Sequence, residues 1–178
     1  MLKLNFPKPV KFISAFIYGS EATYNRAKKI FTKKFGKIDY ESDKLNFDST
    51  NYYRPEMGEP LFRKFISFQK LKDPAQFIKI KLFCLKLEKK FSKNNLRTIN
   101  IDPGYINEAK LVLTTTKDFA HRIYLGKGVY AEVTLFYKDG HFQHLPTTFP
   151  DYRTDTYKDI FEQIRNIYIK QNHRYKNN

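Results

Sequence analysis

The chain has 178 residues, a mass of 21.3 kDa, and 41% hydrophobic, 29% charged and 17% aromatic content. That length reads as one domain, residues 1–178, with a core that needs neither disulfides nor a structural metal. No run of about 18 uncharged apolar residues offers a transmembrane helix, Met1–Pro9 lacks the apolar segment of a secretory signal, and the single cysteine, Cys84, excludes a disulfide framework or four-cysteine zinc site and fits a reducing cytoplasm.

Lys11–Tyr18 (KFISAFIY) is a continuous apolar run that predicts a buried central strand. Ser20 then caps a helix over Glu21–Phe35, with Ala27, Ile30 and Phe31 on its apolar face and Gly36 at its left-handed end. Ile38–Phe47 and Leu61–Leu71 hold the second and third strands. Asp73-Pro74 starts a helix that runs to about Ser92. Phe77, Ile80, Cys84, Leu87 and Phe91 form one stripe of it, and Lys79, Lys86, Lys90 and Lys93 another. Cys84 is thus a core residue. Arg97–Ile101 is a strand that ends in a turn at Asp102-Pro103-Gly104-Tyr105. Asn107 caps a short helix through Thr116, although three threonines also suit a strand. His121–Leu125, Val129–Tyr137 and His141–Pro146 form a meander with turns at Gly126–Gly128 and Asp139-Gly140. Thr154 caps a terminal helix. The predicted class is α+β: an antiparallel or mixed sheet with a ferredoxin-like (split βαβ) N-terminal unit, a C-terminal β-meander and a terminal helix.

Thirty-three Lys and Arg against 18 Asp and Glu give a formal charge of +15. Such a balance attracts RNA, nucleotides or anionic lipid. Lysine outnumbers arginine 25 to 8 and Asn, Ile, Phe and Tyr are common. Either AT-rich codon usage or a selected anion surface accounts for the excess. It is uneven: residues 1–93 hold 21 basic and 9 acidic side chains, residues 94–178 hold 12 and 9.

Five clusters carry polar chemistry. Across the Gly126–Gly128 hairpin, Leu125 should face Val129, Ile123 face Ala131 and Arg122 face Glu132. Val129, Ala131, Val133 and Leu135 then form an apolar side. Tyr130, Glu132, Thr134, Arg122 and Tyr124 form a polar one. Glu132 there is a base and Arg122 an anion clamp, or the two are a cross-strand ion pair. Asp102 at a strand end is a general base, or the acceptor of a tight turn with Gly104. Lys117, His121 and Arg122 suit phosphate contact or proton transfer, or form a charged loop. Asp48, Tyr52, Tyr53 and Glu56 lie in a loop without periodicity, which reads as a binding loop or a packed lid. Asp151 and Arg153 follow Pro150, as site residues or as the turn before a helix. The chain has no GxxxxGK[ST] phosphate loop, dinucleotide fingerprint or nucleophile elbow. His141 and His144 fall on opposite faces of a strand, poor geometry for a metal.

The strings KPVKFISAFIY (8–18), FDSTNYYRPEMG (47–58), KFISFQKLKDPAQFIKIK (64–81), INIDPGYINEAKLVLTTTKDFAHRIYLGKGVYAEVTLFY (99–137) and TTFPDYR (147–153) resemble the bacterial domain-of-unknown-function 4416 family. They run in order over nearly the whole chain. The resemblance implies motif positions at Asp48, Tyr52, Tyr53, Glu56, Asp102, Gly104, Tyr105, Lys117, His121, Arg122, Glu132, Asp151 and Arg153. It implies no reaction. Cys84 departs from the family pattern, which argues against a cysteine nucleophile.

Three functions follow as expectations. The first is binding of a nucleotide, phosphorylated small molecule or RNA, with Lys117, Arg122, Arg153, Tyr105, Asp48, Tyr52, Tyr53, Glu56 and Asp151 as ligand contacts. The second is an acid–base enzyme using Asp102, His121 and Glu132 on a small anionic substrate. The third is an interaction module built on exposed aromatics. No cofactor is indicated. Asp102, Glu132 and Asp48 are hard oxygen donors, but no metal site is predicted.

Overall fold

A computed structural model describes residues 4–176, and side chains as far as Asn172. The apolar run Lys11–Tyr18 is strand β1, buried at every position. The first helix, α1, spans Glu21–Phe35, as its periodicity predicts, and Gly36 ends it with φ 95°. Ser20 occupies the cap position without a side-chain bond. The second strand is broken into β2 (Ile38–Glu41) and β3 (Leu45–Asn46). The aperiodic loop contains a one-turn helix, α2 (Arg54–Met57). Strand β4 is Phe62–Phe68. Asp73 accepts from the Ala75 N–H at 2.9 Å and starts a 3₁₀ turn that leads into α3 (Phe77–Phe91).

Two expectations fail in the middle of the chain. Asp102-Pro103-Gly104-Tyr105 is not a turn: strand β5 runs straight through it, Ile99–Ile106. The segment after Asn107 is not a helix but strand β6, Lys110–Thr115. Its Leu, Val and Thr residues suit a pleated strand between two partners better than a helix. Strands β7 (Ile123–Gly126), β8 (Val129–Lys138) and β9 (His141–His144) form the meander, and α4 spans Asp155–Lys176.

The nine strands form one sheet of order β2-β4-β1-β5-β6-β8-β7, with β3 on β4 and β9 on β8. Every strand pair is antiparallel. The sheet is therefore larger than a four-stranded split βαβ unit. On one face α1 and α3 cover Phe12, Phe16, Phe68, Ile99 and Ile101. Phe12 stacks on Phe68 with ring centroids 4.8 Å apart. Cys84 is fully buried in this layer, and burial pushes its thiol up, away from thiolate chemistry. On the other face α4 covers Ile13, Ala15, Phe65, Leu111 and Leu135. Fully burying each such Leu, Ile or Phe side chain contributes about 1.5–3 kcal/mol.

Two bulges correct the predicted alternation. One between Tyr124 and Gly126 places Gly126, not Leu125, opposite Val129; Ile123 does face Ala131. The second lies between the Leu111–Leu135 and Val112–Val133 pairs. It puts Glu132 and Leu135 on one face, so Leu135 joins the α4 core and not the side of Val133.

Candidate functional site

The sheet forks. Strand β5 pairs with β6 only over Gly104–Ile106. Beyond that, Thr114 and Thr115 of β6 pair with β8 alone, and Ile99–Pro103 of β5 pair with β1 alone. The sequence supplies the reason at the vertex. Pro103 has no N–H to give to β6, and its carbonyl accepts from Thr114 Oγ1 at 2.8 Å. A Cβ on Gly104 would sit 2.3 Å from the Val112 carbonyl oxygen, so only glycine lets the strands cross there. Through the gap, α3 completes the unpaired edge of β5. Glu88 Oε1 accepts from the Ile101 N–H at 2.7 Å, and Lys81 Nζ donates to the Ile101 carbonyl at 3.2 Å.

A cleft of about 440 Å³ fills the fork, within the range that holds small ligands. Its floor is a chain of polar groups. Asp102 accepts from Asn100 Nδ2 at 2.8 Å and from Lys81 at 3.3 Å. Asn100 in turn accepts from Arg97 at 2.9 Å, and Arg97 forks onto Glu56 with bonds of 2.6–2.9 Å. Burial pushes the Glu88 carboxyl up to about 7 despite Lys81 beside it. Burial alone would pull the Lys81 ammonium down; Asp102 and then Glu88 outweigh it, and the net direction is up.

One wall is buried Arg63, which donates to Asp151 at 2.9 Å and lies over the Tyr152 ring. Burial raises the Asp151 carboxyl, and Arg63 pulls it part of the way back. On the opposite wall Arg122 Nε donates to Glu132 at 2.7 Å, and Arg122 Nη1 donates to the Lys117 carbonyl at 3.0 Å. Arg122 Nη2 has no acceptor among the described residues. Neither has the Lys117 ammonium, which sits 4.0 Å above the centre of the Tyr52 ring. Tyr52, Tyr53, Phe119 and Phe149 supply the aromatic rim.

The structure thus gathers Asp102, Glu132, Lys117, Arg122, Tyr52, Tyr53 and Asp151 around one cleft. His121 stands behind it, 3.1 Å from Glu132. Glu56 acts through Arg97 and ties the loop of Tyr52 and Tyr53 to the start of β5. Three sequence-predicted residues lie elsewhere. Tyr105 points to the α3 side and packs on Phe77 at 5.1 Å, because it sits at odd spacing from Asp102. Asp48 is exposed outside the cleft. Arg153 spends its donors on the carbonyls of Thr148 (2.7 Å) and Pro146 (2.9 Å), so it pins a loop and does not clamp an anion.

Sequence reasoning missed Arg63, Lys81, Glu88, Arg97 and Asn100. A signal existed for three of them. Lys81 and Glu88 are seven apart on α3, two turns, and border its apolar stripe on the side of Phe77, away from the lysine stripe. Arg63 stands inside an apolar strand. Among the described residues no cluster of three His, Cys, Asp or Glu has metal-site geometry.

A family model described as a domain of unknown function (DUF4416) matches residues 8–168. No curated protein and no solved structure matches the chain.

Proposed function

We propose, for a chain that belongs to the family of domain of unknown function DUF4416, that the forked-sheet cleft binds a small phosphate-bearing ligand: a nucleotide or a phosphorylated metabolite. One observation carries the reading. Lys117 Nζ and Arg122 Nη2 are cationic donors without protein acceptors among the described residues, linked by the 3.0 Å bond from Arg122 to the Lys117 carbonyl. They flank an aromatic-rimmed space of about 440 Å³. A phosphate accepts from both at once, and a planar or ring-bearing remainder lies against Tyr52, Phe119 or Phe149. A space of this size favours a small molecule over an RNA strand. The reading takes the chain as one domain built on a ferredoxin-like split βαβ unit. The order β2-β4-β1-β5, with α1 and α3 as crossovers, supports that.

A second reading, acid–base catalysis, has its own support. Glu88 and Asp102 share Lys81 as a neighbour, and Glu88 holds its proton to about pH 7. Two carboxyls in contrasting surroundings can divide acid and base roles. Glu132, backed by His121 at 3.1 Å, is the other proton-transfer candidate.

Calorimetric titration with inorganic phosphate, ribose 5-phosphate and nucleoside mono- and diphosphates tests the primary reading. Saturable binding at micromolar to sub-millimolar concentration, weakened by Lys117→Ala, is the expected result. Absence of heat from every phosphorylated compound at about 1 mM, only about 4 kcal/mol of binding, overturns it.

A further inference from the structure

The two faces of the sheet carry different charge. Helices α1 and α3, on one face, hold ten Lys and Arg against two Glu; α4, on the other, holds five against three. A compositional excess would fall on both alike. Lys81 and Glu88 are both buried, which leaves nine of these cations outside the core against one carboxylate, Glu21, at the start of α1. Lys29, Lys33, Lys79, Lys86, Lys89 and Lys90 are exposed and form no ion pair among the described residues. The helices are packed side by side, with Phe31 and Phe83 rings 5.7 Å apart, so these lysines share one outward surface.

Beyond α3 the same sheet face continues to its edge with no helix over it among the described residues. The register shows which residues it presents. Tyr105, packed on Phe77 of α3, is opposite Val112, and Val112 is opposite Val133. Ala131 is two residues before Val133, and Ile123 is opposite Ala131. Ile123 and Val133 therefore lie on the lysine side, 70% and 37% exposed. Four exposed aromatics point elsewhere: Tyr124 alternates to the other face, and Tyr52, Phe119 and Phe149 line the cleft, while Phe6 precedes β1.

We infer that the α1–α3 face, with the Ile123–Val133 strip beside it, docks on an anionic lipid surface. The ammonium groups meet headgroup phosphates while their alkyl stems and the aliphatic strip reach the acyl boundary. A surface that reads RNA needs stacking rings and free guanidinium forks. This one presents aliphatic residues beside its lysines and a single guanidinium, that of Arg26, which lies over the Phe91 ring at 5.0 Å. The inference does not depend on the ligand of the cleft.

Flotation of the full chain with vesicles tests it. Vesicles of phosphatidylcholine alone should not retain the protein; vesicles with roughly a third phosphatidylserine should, at low salt, with loss as salt rises. The triple variant K79Q/K86Q/K90Q should partition about 100-fold more weakly, from the usual contribution of a lysine near such a surface. Ile123→Ser with Val133→Ser should weaken binding at unchanged charge. All five positions are exposed, and an unchanged melting temperature confirms that the variants are folded. No retention by anionic vesicles at low salt overturns the inference, as does equal retention of the triple variant. Retention of a short single-stranded RNA with inert vesicles also overturns it, and assigns the face to nucleic acid.

Discussion

The carboxylate of Glu88 occupies the place of a neighbouring strand: its Oε1 accepts from the Ile101 N–H at 2.7 Å, on the side of β5 where β6 has turned away. Lys81 does the same for the Ile101 carbonyl at 3.2 Å. Two side chains of one helix thus stand in for a strand and hold the fork open. The cleft exists because the backbone it exposes is satisfied elsewhere.

This arrangement makes stability depend on pH in a definite direction. The Glu88 carboxyl titrates near 4.5 in an unfolded chain, and burial raises it to about 7 in the fold. Between those values the folded state keeps a proton that the unfolded state has lost. Stability from this group is therefore full below about pH 4.5 and falls as pH rises through about 7. The size is on the order of 3 kcal/mol. Glu88→Gln keeps an acceptor for Ile101 and removes the titration. Denaturant melts of both proteins at pH 5 and pH 8 should show the variant gaining relative to the wild type at the higher pH. A constant difference would refute the assignment.

Glu88→Ala should behave differently. It leaves the buried Ile101 N–H without an acceptor, which costs about 1–3 kcal/mol at every pH. Both variants lack the titration, so a urea midpoint that lies below that of Glu88→Gln by the same amount at pH 5 and pH 8 would bear this out for the backbone role.

Gly104→Ala tests the vertex. The added methyl would lie 2.3 Å from the Val112 carbonyl and 2.7 Å from Leu113 Cδ2, with backbone on one side. The strands must part, at a cost of about 1–3 kcal/mol or more. Thermal unfolding should shift by several degrees, and amide exchange at Tyr105 and Val112 should accelerate.

The three cations that the sequence singles out, Lys117, Arg122 and Arg153, should separate into binding and structural classes. Lys117→Ala removes an exposed, unpaired charge; it should leave stability unchanged and weaken a phosphate ligand about 10–100-fold, the size of a charge-assisted bond. Arg122→Ala strips its partner from Glu132, whose side chain is 5% exposed, and should cost about 3–5 kcal/mol of stability. Arg153→Ala only loosens the 146–148 loop, with ligand affinity unaltered. A melting temperature and a titration for each variant check the division.

Much of the fold was legible in the sequence because it is local. The periodicity of Glu21–Phe35, the Asp73-Pro74 start and the alternation around the Asp139-Gly140 hairpin depend on neighbours in the chain, and the structure follows them. Half of the candidate site was legible for a related reason: Arg122 and Glu132 meet across one short hairpin, and their pairing is a matter of register. The reading of Asp102-Pro103-Gly104 as a turn failed because its residue types favour turns in isolation. In the fold the same residues serve a strand crossing, where Pro lacks the bond that β6 would need and Gly admits the close approach.

Sequence alone therefore determined the class, the helices α1, α3 and α4, the antiparallel hairpins, the lone buried thiol and the concentration of charge in the first half. Tertiary structure decided where β5 and β6 part, that Arg63, Lys81, Glu88 and Arg97 converge on one cleft, and that Tyr105, Asp48 and Arg153 do not. Hydrophobic periodicity is carried by residues a few positions apart. A sheet fork is set by which of several distant strands captures each backbone group, and α3 settles that contest from 13 to 20 residues away along the chain.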